Sequence, residues 1–128
     1  MATVQIDKLA GSITLAVWQY TERVSSSIER ELDSTSKAVL ADIKATSAHR
    51  DRTGGYRRGW KRKKETLGGQ VKYTIYNKDK PGLVHLLEFG HAKKGGGRVA
   101  GRPHVRPVYD AHVPAMETRI EQIIRDGG

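Results

Sequence analysis

An α+β domain is predicted by three patterns in this 128-residue chain. First, Ile13, Val17, Tyr20, Val24, Ile28, Leu32, Val39 and Ile43 keep one face of a long helix apolar, with a weak spot at Thr35. Second, Val71 to Tyr76 alternates strictly: Val71, Tyr73 and Ile75 face one way, and Lys72, Thr74 and Tyr76 the other. Third, Val108, His112, Ala115, Met116, Arg119, Ile120 and Ile123 fall along one stripe of a closing helix. The predicted order is a long N-terminal helix, an antiparallel β-hairpin, a short helix, a Gly-rich loop and a C-terminal helix. A chain of this length is expected to form one domain, residues 1–128.

The elements follow in order. Val4 and Ile6 alternate with polar neighbours and allow a short edge strand. Ser12, after Gly11, is the expected N-cap of a helix running to about Ala48. Such a helix is about 50 Å long at 1.5 Å per residue, long enough to reach beyond its own core to a neighbour. Ser25-Ser26-Ser27 has poor helix propensity and is a candidate bend. Thr53-Gly54-Gly55 is a break. Tyr56, Arg58, Trp60, Arg62 and Lys64 then share one side of a strand, and Leu67-Gly68-Gly69-Gln70 turns it back. Leu83 to Phe89 has helical spacing and stops at Gly90. His91 to Gly101, with four Gly and three basic residues, is expected to be a mobile loop. Arg102 to Pro107 is extended because each residue before a proline is pushed out of the α region. Pro107 suits the first turn of the last helix, and Pro114 either kinks or restarts it.

Apolar residues make up 37% and Phe occurs once, so the core is modest and gains from partner subunits. No cysteine is present, which excludes a disulfide framework and a Cys-type zinc site. No apolar run nears the roughly 20 residues needed to span a bilayer, and Met1 to Lys8 lacks a signal-peptide pattern. No membrane association is expected. The formal net charge of +9 is unevenly placed. Residues 49–106 hold 16 Lys or Arg against 4 Asp or Glu, while both flanks are slightly acidic. That field suits polyanions or acidic protein surfaces, and equally keeps an assembly-prone subunit soluble.

Catalytic signals are sparse. His85 and His91 flank Glu88, but no His-Glu-x-x-His helix is present. The five histidines read as ordinary polar residues. Lys93-Lys94-Gly95-Gly96-Gly97-Arg98 lacks the Gly-Lys-Ser/Thr ending of a phosphate loop. No nucleophile elbow or acidic metal cluster appears, so no catalytic, metal or cofactor residue is assigned and no enzyme is expected. The basic surface is expected from Arg58, Lys61, Arg62, Lys63, Lys64, Lys93, Lys94 and Arg98. Interleaved with Tyr56 and Trp60, part of it looks like a single-strand binder. The alternation instead favours both aromatics pointing into the core, with Arg57, Lys61 and Lys63 on the outer side.

Three ordered segments carry a resemblance. Thr53-Gly54-Gly55-Tyr56-Arg57-Arg58-Gly59-Trp60 resembles the Thr-Gly-x-Leu-Arg-x-Ser-Ile segment of a family of tailed-phage neck and tail-completion proteins. Leu83 to His91 is similar to that family's Tyr-Ala-x-x-Val-Glu-Phe-Gly-Thr, with Glu88, Phe89 and Gly90 in register. Arg102-Pro103-His104-Val105-Arg106-Pro107 resembles its Arg-Pro-Phe-x-Arg-Pro. Departures include Tyr56 for Leu, Gly59 for Ser, Leu83 for Tyr, His91 for Thr and His104 for Phe, and the Gly-rich loop is longer than usual. The resemblance implies a structural virion protein at the head–tail junction of a tailed phage, made in the host cytoplasm. Its partners would be its own copies in a ring such as a hexamer, the connector and tail proteins, and packaged DNA non-specifically. The alternative is a small basic nucleic-acid-binding domain. Glu88 is expected to be structural, pairing with Arg57, Arg102 or Arg106.

Overall fold

A computed structural model of the chain describes residues 6–47 and 54–128, with side chains described in 21–47 and 54–128. Helix α1 spans Ile6–Ser47, 42 residues and about 63 Å. It begins before the expected Ser12 cap, because Ile6, Leu9 and Ile13 extend the three-to-four spacing across Gly11. One glycine costs only about 1 kcal/mol in a helix interior. The edge strand expected at Val4 and Ile6 is therefore replaced at Ile6 by helix, and Val4 lies outside the described residues, as does Thr53. Helical hydrogen bonding also continues through Ser25–Ser27.

The break after α1 gives a single helical turn, α2 (Gly55–Arg58), and not the start of a strand. Tyr56 and Arg58 thus leave the strand face on which the alternation placed them. Strand β1 (Trp60–Leu67) pairs antiparallel with β2 (Gln70–Asn77), with Trp60 opposite Asn77 and Leu67 opposite Gln70. Gly68 and Gly69 make the two-residue connection with φ of 57° and 80°. Positive φ at both positions matches the twist of the flanking strands, which explains the Gly-Gly pair.

Helix α3 (Pro81–Phe89) opens with Pro in its first turn and ends at Gly90. The stretch expected to be an irregular loop instead pairs its ends as β3 (Gly90–Ala92) and β4 (Arg98–Ala100). Helix α4 (Arg106–Asp126) starts at Arg106-Pro107 and continues through Pro114 without restarting.

Helix α4 runs antiparallel to α1. Thr46 meets His104, Asp42 meets His112 and Glu31 meets Arg119, so numbers fall on one helix as they rise on the other. The weak spot at Thr35 is itself buried, its hydroxyl donating to Glu31 and accepting from Arg119. The hairpin lies on α1 through Trp60, Arg62 and Lys64. The buried apolar core is small: Ile43, Tyr56, Trp60 and Val108, with Val39, Leu40, Ile75, Val84, Leu87 and Val105 packed against it. Among the described residues, no helix is long and apolar enough to cross a membrane.

Candidate functional site

The second and third segments singled out in the sequence meet at one buried carboxylate, and the first joins them through His104. Glu88, near the end of α3, points at the start of α4, where the N-cap residue Val105 supplies no side-chain cap of its own. Its Oε1 accepts the backbone N–H of His104 (2.7 Å) and of Val105 (3.0 Å), and its Oε2 accepts that of Arg106 (2.8 Å). The first amides of a helix have no intrahelical partner and carry the positive end of the helix dipole, so a carboxylate belongs there. Burial pushes the Glu88 carboxyl up, but the hydrogen bonds from Val105, His104 and Arg106 together outweigh it. The group therefore sits below its usual range.

This corrects the expected pairing of Glu88 with an arginine side chain. Arg106 contributes its backbone N–H, while its guanidinium reaches Asp110 one turn along at 3.1 Å. Arg102 contributes its backbone too: its N–H donates to Leu87 O at 2.7 Å.

His104 links the second and third segments to the first. Its Nδ1 lies 3.1 Å from Glu88 Oε1 and 3.3 Å from Arg102 O, two acceptors, so Nδ1 carries the hydrogen. In that tautomer Nε2 carries the lone pair and accepts from the Tyr56 hydroxyl, 2.6 Å away. Tyr56, His104 and Glu88 are 1%, 2% and 6% exposed, which makes this a buried polar chain with its bonding satisfied. Burial, with the Glu88 charge, pushes the Tyr56 phenol up to about 12. Tyr56 also packs edge-on against Trp60 at 5.6 Å. Trp60 Nε1 donates to Ser47 Oγ at 2.9 Å, and Asn77 Nδ2 donates to Tyr56 O at 2.7 Å.

Gly90 ends α3 with φ 79° and ψ −179°, a backbone conformation essentially confined to glycine. A Cβ there would fall 2.3 Å from Val99 O, so glycine also allows β4 to close on the helix end. Gly54 precedes α2, and its carbonyl accepts the Arg58 N–H at 3.0 Å. Phe89, by contrast, is 63% exposed, and Arg57, Arg102, Pro103 and Pro107 are exposed as well.

The basic residues divide. Arg62 turns to α1, bonding Asp33 Oδ1 (2.7 Å) and Ser36 Oγ (2.8 Å), with its guanidinium 5.0 Å from the Tyr73 ring centre. Lys64 bonds Glu29 at 2.7 Å. The Arg62 guanidinium, then the Lys37 ammonium, holds the Asp33 carboxyl down to about 2. Arg58, Lys61, Lys63, Lys93, Lys94 and Arg98 are exposed, and Arg98 donates to Phe89 O at 2.8 Å. No sequence pattern marks Ser47, Asn77 or Asp33 as a partner in these bonds, and His104, read as an ordinary polar residue, is buried. The available signal for His104 was its place between two prolines, where the resembling motif carries Phe. Among the described residues, no group of three His, Cys, Asp or Glu is arranged to hold a metal ion.

The buried polar groups join one helix start, one helix end and one hairpin into a small α+β body. The family model described as "Bacteriophage HK97-gp10, putative tail-component" matches residues 13–90, more than half of the sequence. The chain belongs to this HK97-gp10-like family of bacteriophage tail components. The match takes in the first two resembling segments and stops at Gly90, so the third is tied to them here by Glu88 and His104. No curated protein and no solved structure matches the chain significantly.

Proposed function

We propose that this tail component is a non-enzymatic virion protein that joins head to tail, forming a ring as a neck or tail-completion subunit. The observation that carries this reading is that the three resembling segments are joined by one buried chain, Tyr56–His104–Glu88. Within those segments Glu88 and Gly90, which match the family pattern, and Tyr56 and His104, which depart from it, lock α3, α4 and the turn before the hairpin into one body. The long α1 and the small core agree with a subunit completed by its neighbours. Its partners would be further copies of itself, the connector and the tail, with the exposed lysines of the hairpins facing an acidic protein surface or the DNA path.

The test is complementation of a phage lacking this gene, with particles viewed by electron microscopy. Filled heads and separate tails should accumulate without the protein and join when it is restored. Normal joining in its absence would defeat the proposal. The nucleic-acid reading draws on the exposed Lys61, Lys63, Lys93 and Lys94. It predicts tight binding of free DNA with a steep salt slope.

A further inference from the structure

The domain does not fill its own interior. Between α1, β2, α3 and α4 lies an apolar concavity of about 940 Å³, walled by Val39, Ile43, Ile75, Val84, Val113 and Met116. Lys72 and Lys78 are the charged residues that line it. A space this large and this apolar is costly to leave to water.

The same chain carries the complementary element. Residues 9–20, Leu-Ala-Gly-Ser-Ile-Thr-Leu-Ala-Val-Trp-Gln-Tyr, lie in its longest uncharged run and include one of its two tryptophans. They lie in α1, but on the far side of the point where α4 ends with Gly128 beside Arg23. The helix continues past that point for about 26 Å. A continuous helix cannot bring this segment to its own concavity, because residue 20 and Leu32 are about 18 Å apart along the axis and earlier residues are farther. A second copy has no such restriction.

We infer that the concavity receives the N-terminal helix segment, residues 9–20, of a second copy of this chain, laid in as an apolar helix in a groove. The inference rests on the ring-forming reading above and names its contact. It joins two different patches, a helix end and a groove, so it passes from copy to copy and closes into a ring if the rotation allows.

The full-length chain and its Ile13→Asp/Val17→Asp variant are compared by light scattering over a concentration series. Thermal unfolding followed by circular dichroism verifies that both are folded. The wild type should rise above monomer mass, and the variant should stay monomeric with an unchanged unfolding midpoint. Because the natural chain has no cysteine, a Val17→Cys chain can be mixed with a Val113→Cys chain and oxidised. A cross-link between the two chains, with little in either alone, is the expected result. A monomeric wild type overturns the inference while leaving family membership intact. Association that persists in the aspartate variant, or cross-linking mainly among Val17→Cys chains, overturns the groove while leaving ring formation standing.

Discussion

Glu88 has more to lose than a surface ion pair, because its buried carboxylate satisfies three backbone amides. Glu88→Ala should lower unfolding free energy by about 3 kcal/mol in urea titrations, and Glu88→Gln by about 2, since one amide oxygen cannot serve all three donors. The pH dependence has a definite sign. The folded carboxyl sits below its unfolded value, so its stabilisation is present above pH ~4.3 and is lost as pH falls through the folded value. Glu88→Gln should flatten that acid limb, and an unchanged limb would assign it to other carboxylates. Tyr56→Phe should cost about 1–2 kcal/mol by stranding His104 Nε2. Adding His104→Phe should recover part of that loss, since removing both partners leaves less polar surface unmatched. A purely additive double variant would show that the two side chains are not coupled.

At the scale of elements, two joints differ in kind. The hairpin is held to α1 by the Arg62–Asp33 and Lys64–Glu29 pairs, which remain partly exposed. Asp33 titrates near 2 when folded, so this joint should hold above pH ~3.9 and loosen as pH drops towards 2, more readily in high salt. Chemical shifts of the β1 and β2 amides during acid titration would follow it. The joint at Gly90 is steric. Gly90→Ala should destabilise by about 2–4 kcal/mol, combining backbone strain with the collision against Val99 O. A hairpin of three-residue strands has little stability of its own. We propose that residues 93–97 at its tip order fully only on assembly: their amides should exchange fast in a monomer and slowly in assembled particles. Strong protection in a verified monomer would refute this.

For the whole molecule, the β1–β2 hairpin carries exposed Lys61 and Lys63 on its outward face, with exposed Lys72 on the same strand face at the edge of the apolar concavity. Changing all three to Gln should shift stability by less than about 0.5 kcal/mol, because exposed charges contribute little to folding. Joining of heads to tails should fall, since such charges steer docking and set register. Retention of normal joining together with loss of a strong, salt-sensitive DNA affinity would favour the nucleic-acid role.

The order of elements was legible in the sequence because each rests on local physics. The apolar spacing of α1, the alternation of Val71 to Tyr76, the Gly-Gly turn and Pro107 at a helix start all act within a few residues of chain. The sequence also marked Tyr56 and Trp60 as inward-facing and placed Glu88, Phe89 and Gly90 in a motif. Tertiary structure alone decided what those residues touch. Glu88 found backbone amides 16 to 18 residues away in preference to an arginine side chain, because an uncapped helix start was brought beside it. His104 became buried because Tyr56, 48 residues earlier, supplies its partner. Arg62 and Lys64 are paired, Lys64 while staying half exposed, because α1 presents Asp33 and Glu29 beside them. Periodicity specifies which face of an element is apolar; which polar groups meet depends on distances that packing alone creates.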